Sequence, residues 1–472
     1  MDSEETIIKP IPVEETVRAP VPPEVAKEPE APPPGEPKRL LSVADGAFLT
    51  IGMIIGVGIF EAPARVAGNS SSTWEFLALW LVGGIVSLCG ALVYAELSAR
   101  HPETGGEYAF LSRAFGKPTG FVFAWCRIVV IQTGAIAGVA FVFGAYATQI
   151  YSLGSSSTLI YAAISVVALT ALNVAGTLPS KGMQRFMETI LIAGLLMLAV
   201  AGLMAEGGVK PSPPAFTDGA IGFALMFVFF TYGGWNEAAY LSGEVRDAPK
   251  NMVRVLLLGI GSVTLLYLLV NIGYLAALGL QGIRESKAVA VDVMRLVAGD
   301  SGALVIALIV CISAATTINA AIFTGARTTW AFGRDFPAFA RLGHWQETGS
   351  TPANALLLQG IVSLALVLVG GTTPDGFGAM VAYTAPVFWT FFLLTGITLF
   401  LFRMKEAGVP EFMVPAYPFV PFVFCAMCVY MLFRSIDYIF NPVYGPKFGM
   451  VVLAGLAVMA AGIPLYFLTT KK

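Results

Sequence analysis

"IGMIIGVGIFEAP", residues 51–63, opens a strongly apolar run yet sets Gly52, Gly56 and Gly58 through its middle, with Glu61 and Pro63 close behind. Glycine in a helix interior costs about 1 kcal/mol relative to alanine. In hydrocarbon no water takes over a lost backbone hydrogen bond, so an irregular stretch is tolerated only where it is buried in protein or lines a cavity. Two readings fit: close helix packing through small residues, for which Gly52 and Gly56 have the Gly-x-x-x-Gly spacing, or a helix broken at mid-membrane.

A second stretch decides between them. "FVFFTYGGWNEAAY", residues 227–240, places Gly233 and Gly234 side by side between aromatics. Paired interruptions, one opening each half of a chain, are the sequence pointer to an inverted-repeat transporter whose site lies at the broken helices. Half-helix ends there offer N–H groups to an anion and C=O groups to a cation. An amino acid zwitterion carries both charges.

The rest of the chain agrees that lipid is the solvent. Its 472 residues are 56% hydrophobic and 12% charged, with mean hydropathy +0.76; soluble domains carry roughly a quarter charged residues. Hydropathy predicts about twelve spanning helices, near 42–68, 74–98, 119–150, 158–175, 184–205, 219–243, 252–279, 301–330, 353–371, 376–402, 418–440 and 448–469. The breaks fall in the first and sixth, so spans one to five and six to ten form the two repeats. Lysine and arginine distribute roughly 20 to 7 in favour of the side holding the N-terminus. That bias places both termini in the cytoplasm and the protein in the cytoplasmic membrane.

Residues 1–38 are rich in Pro and Glu and lack aromatics. Such a segment buries too little apolar surface to offset its ordering entropy, and reads as a disordered, partly polyproline-II tail. It lacks the short apolar core of a signal peptide. The permease domain is then 39–472. The net charge is −2 and no basic tract is present, which argues against nucleic acid. Cys89, Cys126, Cys311, Cys425 and Cys428 all fall within spans. The Cys425/Cys428 pair reads as helix packing, and no outer-loop cysteine offers a disulfide to a partner. His101 and His344 lie in separate inner loops. No metal cluster, cofactor motif or nucleophile–histidine–acid set appears, so the chain does not read as an enzyme.

Several motifs, in order, resemble the amino acid–polyamine–organocation superfamily, and within it the L-type amino acid transporter branch. They are "GMIIGVGIF" at 52–60, "GALVYAELSARHPETGGEYAFLSRAF" at 90–115, "TYGGWNEAAYLSGEVRDAPKNM" at 231–252, "INAAIFTGARTTWAFGRD" at 318–335 and "TPANALLLQG" at 351–360. The resemblance runs from about Leu41 to Phe402. It implies an all-α, LeuT-type 5+5 inverted repeat of about twelve helices that works by alternating access, as an exchanger or proton-coupled symporter of amino acids. It also implies residue roles. Backbone N–H groups near Gly56, Val57 and Gly58 would hold the substrate carboxylate. Carbonyls near Ile54, Phe230 and Gly233 would hold its ammonium group, with the Phe230 ring as a gate. Ile55, Thr231, Tyr232 and Glu237 complete the expected site.

Three positions depart from that pattern. Val57 stands where relatives often carry serine. Leu191 or Ile192 stands where many carry a fifth-span lysine in place of sodium. Glu237 stands where a larger neutral side chain is common. Glu237 is therefore expected to bind a cationic side chain or to carry a proton, which keeps a polyamine or other organic cation open as substrate. Glu61, nearer the outer mouth, is expected to face solvent. Glu188 and Arg127 are expected to pair or to snorkel, Glu96 and Glu107 to fix the inner loop, and Ser313, Thr316 and Thr317 to pack between helices. A channel or a membrane enzyme fits less well. Nothing in the residues specifies an oligomeric state or an accessory subunit.

Overall fold

The protein is seen here in a computed structural model that describes residues 41–101, 106–176, 181–205, 220–238, 241, 245–346, 351–406, 408, 410–440 and 446–470. The Pro/Glu-rich tail, 1–38, lies outside the described residues.

The described chain is helical almost throughout. The first span is two helices, α1 (Val43–Ile54) and α2 (Gly58–Gly68), bent by 60° between them. Then come α3 (Thr73–Arg100), the short α4 (Glu107–Phe115), and a third span made of α5 (Lys117–Cys126), one π-helical turn (Arg127–Ile131) and α6 (Gln132–Ile150). Next are α7 (Ser157–Val174), α8 (Lys181–Met204), α9 (Ala220–Thr231) and α10 (Trp235–Ala238). The second half continues with α11 (Ala248–Glu285), α12 (Val289–Asp335), α13 (Ala353–Gly370), α14 (Gly376–Lys405), α15 (Phe419–Phe440) and α16 (Pro446–Thr470).

Ten of these helices, counting α5 to α6 as one, are long and apolar enough to cross a membrane, and the bent pair makes eleven. Hydropathy gave about twelve. The difference lies at the sixth span, of which the structure describes a 12-residue apolar helix and a single further turn. The chain is an integral membrane protein.

Local chemistry sets the ends. Ser42 caps α1 and Asp45 returns the bond, a capping box. Ser72 caps α3 and Asp375 caps α14 through side-chain bonds to backbone N–H groups. The seventh span, expected to stop at residue 279, turns there: Gly279 has φ 66° inside α11.

The broken elements sit in the middle of the bundle. α1 packs on α11, α2 on α9 and α11, and α12 on α6 and α8. Ile59, Phe60, Trp80, Phe227, Tyr232 and Tyr267 around them are fully buried. Leucines, isoleucines and phenylalanines on α7, α8, α15 and α16 face outward, as lipid-facing surfaces do.

Candidate functional site

The two breaks meet. At the first, the Ile55 N–H still bonds the Ile51 carbonyl, 2.9 Å, but Ile55 itself is extended (φ −68°, ψ 110°) and the helix resumes only at Gly58. Val57 gives α2 no side-chain cap, so the first N–H groups of α2 are left for another partner. A Cβ built on Gly56 would meet nothing within 4 Å, so the space beside it is open.

At the second break, α9 ends at Thr231 and the turn 232–234 brings Gly234 to φ 102° against the Met53 carbonyl. Only glycine suits that conformation and that approach. A Cβ on Gly58 would lie 2.9 Å from Thr231 Oγ1 and 3.0 Å from Thr231 Cα. Each half-helix thus touches the other chain segment through a glycine. The buried Tyr267 hydroxyl on α11 joins them again, 3.3 Å from both the Ile54 and the Thr231 carbonyl oxygens.

A cavity of about 550 Å³ opens from this junction. Ile54, Ile55, Gly56, Val57 and Gly58 line it from the first break, and Phe230, Thr231, Gly233 and Glu237 from the second. Tyr232, grouped with them on sequence, is not in its wall. Its ring is fully buried behind the turn and its hydroxyl donates to the Trp80 carbonyl at 2.9 Å. The Ile54 carbonyl, expected to take an ammonium group, already accepts the Tyr267 hydroxyl and has one remaining lone pair. Leu191, one of the two positions at which a lysine was considered, stands in the wall, and Phe388 and Trp389 of α14 add aromatic surface.

Phe230 connects the cavity to a closed end. Its ring meets Phe377 edge-on at 5.4 Å, and Arg65 lies over Phe377, 4.8 Å from the ring centre. Arg65 Nη1 is 2.8 Å from Glu61 Oε1, and Glu61 is only 8% exposed. The expectation that Glu61 faces solvent is therefore wrong: it is buried on α2, which packs on α9 and α11, and Arg65 neutralises it there. Asp375, outside the spans, completes the set. Burial disfavours its charge, but bonds from Arg65 and from the Gly378 and Phe377 N–H groups outweigh burial and hold its carboxyl below the ordinary value.

A second cluster of one arginine and two carboxylates involves residues of the cavity wall itself. Arg127, on the π-helical turn, donates from Nη1 to Glu107 Oε2 at 3.0 Å, and its Nη2 lies 3.8 Å from Glu237 Oε1. Glu107 also accepts the Tyr94 hydroxyl at 2.8 Å. Burial lifts the Glu107 carboxyl above its ordinary value, and Arg127 and Tyr94 only partly offset this. Arg127 was expected to pair with Glu188 or to snorkel; it lies instead against Glu107 and Glu237. Glu188 lines the cavity beside Gly52, whose added Cβ would lie 3.0 Å from Glu188 Oε2. Glu96 is fully buried and ties α3 to Arg403 of α14 and to the Val414 N–H, so it braces α3 against the far end of α14 rather than the loop that follows α3.

Sequence reasoning did not foresee Tyr267 or the cavity positions of Arg127 and Glu188. Tyr267 gives no signal beside Tyr274 of the same helix. Arg127 and Glu188 did give one, since a charge within an apolar run usually faces a cavity.

The profile of a family described as "Amino acid permease" matches residues 41–461. The b(0,+)-type amino acid transporter 1 of Mus musculus is 27% identical over 413 residues, 84% of this chain and 82% of its own length. The serine/threonine exchanger SteT of Bacillus subtilis (strain 168) is 27% identical over 446 residues, 92% of this chain and 98% of its own. The large neutral amino acids transporter small subunit 2 of Mus musculus is 29% identical over 447 residues, 91% of this chain and 81% of its own.

Proposed function

The chain belongs to the amino acid permease family and transports amino acids across a membrane, and on that premise we propose that it works by alternating access, as an exchanger or a proton-coupled symporter in the cytoplasmic membrane. Both termini are cytoplasmic in this reading, and the sixth span is completed by the residues after Ala238 to give twelve helices in a LeuT-type 5+5 repeat. Residues 1–38 form a Pro/Glu-rich N-terminal segment preceding the permease domain, 39–472.

One observation supports this reading of the site: residues of both interrupted helices line one cavity. N–H groups near Gly56, Val57 and Gly58 face a carboxylate. Carbonyls near Phe230 and Gly233, with the second lone pair of Ile54, face an ammonium group. Fixed dipoles of this kind bind without the reorganisation that water needs. Phe230 closes over the substrate, and the wall beyond Gly233, with Glu237, receives its side chain.

A polyamine or another organic cation is the second reading, favoured by Glu237 in the wall. Labelled amino acids offered to proteoliposomes, with and without amino acid inside, test the assignment. Internal amino acid should accelerate uptake of the labelled one. Transport of polyamines with none of amino acids would reverse the two readings.

A further inference from the structure

The described residues that line the cavity include one cation, Arg127, and three carboxylates, Glu107, Glu188 and Glu237. The three do not relate to Arg127 alike. Glu107 is 4% exposed, holds Arg127 at 3.0 Å and takes the Tyr94 hydroxyl as well. Glu237 is 51% exposed and its nearer oxygen is 3.8 Å from Arg127. A close, buried pair resists exchange, because either partner left alone would be a desolvated charge. A long contact to a half-exposed carboxylate is worth little and is easily replaced.

We propose that Arg127, tethered by Glu107, is a built-in counter-cation for Glu237, occupying the place a basic substrate side chain would take and so setting the preference between neutral and cationic amino acids. This rests on the amino acid transport reading.

The geometry gives each residue a separate part. Glu107 and Tyr94 keep the guanidinium within reach whether or not Glu237 holds it. The π-helical turn at Arg127–Ile131 sets the arginine at a local irregularity of the third span, a feature frequent at functional sites. With a neutral substrate, Arg127 balances Glu237 and no bare charge faces an apolar side chain. A lysine or arginine substrate brings its own cation, forms a direct charge-assisted bond to Glu237, and must displace Arg127 to do so. The arginine thus acts as an internal competitor of basic substrates alone.

The test is the ratio of L-lysine to L-leucine uptake in proteoliposomes. Arg127→Gln combined with Glu107→Gln removes both members of the buried pair, leaves no buried carboxylate orphaned, and frees the half-exposed Glu237. It should raise the ratio about fivefold, as expected on losing one weak ionic competitor. Adding Glu237→Gln should return the ratio to the wild-type value or below. Arg127→Lys keeps a cation for Glu107 but gives up the guanidinium fork, and should raise the ratio as well, without removing a charge. An unchanged ratio in a variant that still carries leucine overturns the proposal while leaving amino acid transport standing. A wild-type protein that carries neither substrate overturns both.

Discussion

Arg65 and Asp375, 310 residues apart in sequence, form a two-pronged pair: Nε to Oδ2 at 2.8 Å and Nη2 to Oδ1 at 2.7 Å. It fastens half-helix α2 to the first turn of α14. Parallel bonds of this kind fix orientation as well as adding energy. Arg65 also covers Phe377, which meets the Phe230 ring edge-on, so with Phe230 as the proposed gate this pair would brace the closed form. Asp375→Asn keeps the helix cap but loses the charge, and should weaken closure by about 1–2 kcal/mol. Gly56→Cys, in a background without the native cysteines, would then react roughly tenfold faster with an impermeant thiol reagent added from the side of Asp375.

The same pair sets an expectation for pH. The bound Asp375 carboxyl lies below its ordinary value of 3.8. A depressed acid stabilises the closed form fully above that ordinary value, and the contribution is lost only as pH falls toward the bound one. The difference in reactivity between wild type and Asp375→Asn should therefore stay flat from about pH 8 to pH 5. A steep change inside that window would assign the closure to another group.

The two glycines of the first break should fail differently. Gly58 is packed on Thr231, so Gly58→Leu must push α2 from α9 and is expected to lower thermal stability together with uptake. The space beside Gly56 is open. Gly56→Leu should therefore fold and insert normally, yet abolish uptake, because its side chain fills the volume beside the α2 N–H groups. Melting temperature and uptake measured on both variants separate the two effects. Normal uptake by Gly56→Leu would remove the carboxylate from this position.

The breaks were legible because glycines and a glutamate interrupt an apolar pattern that lipid otherwise enforces. Gly56, Gly58, Gly233 and Glu237 all reached the cavity for that reason. Glu61 was misread because its burial comes from helices packed on α2 and is accompanied by an Arg65 that Asp375 also holds, and hydropathy along the chain carries no information about either. Tyr232 was misplaced because a turn of three residues reverses which side chains face inward. Tyr267 was invisible: a tyrosine in an apolar helix reads as packing until the carbonyl it serves is known.

Tyr267 yields its own expectation. Its hydroxyl lies 3.3 Å from both the Ile54 and the Thr231 carbonyl oxygens and shares its single proton between them. Tyr267→Phe leaves the ring packing intact and removes only that donor. The cost should be about 1–2 kcal/mol of stability, read as an earlier thermal transition in detergent. Substrate should restore part of it, since an ammonium group can serve the same carbonyls. A variant as stable as wild type would show that the bridge contributes nothing at either break.

Coupling is the last expectation. Sodium needs several oxygen ligands; the α12 hydroxyls in the cavity wall are those of Ser313, Thr316, Thr317 and Thr324, and Thr316 and Thr317 are turned back along their own helix, toward the Ile312 carbonyl at 2.8 Å and the Ser313 carbonyl at 3.0 Å. Leu191 adds only hydrocarbon to the wall. Replacing sodium by choline should therefore leave uptake unchanged, and internal amino acid should be the stronger drive. A pH gradient then separates the remaining cases through Glu237→Gln. If Glu237 carries the proton, the variant loses pH-driven net uptake but keeps exchange of neutral amino acids. If it receives a basic side chain, as its place beside Arg127 leads us to expect, the variant loses basic substrates at every pH and keeps its response to the gradient. Neutral and basic substrates assayed across one pH series in this single variant decide between the two, and an unchanged profile for both would leave Glu237 without a part in either.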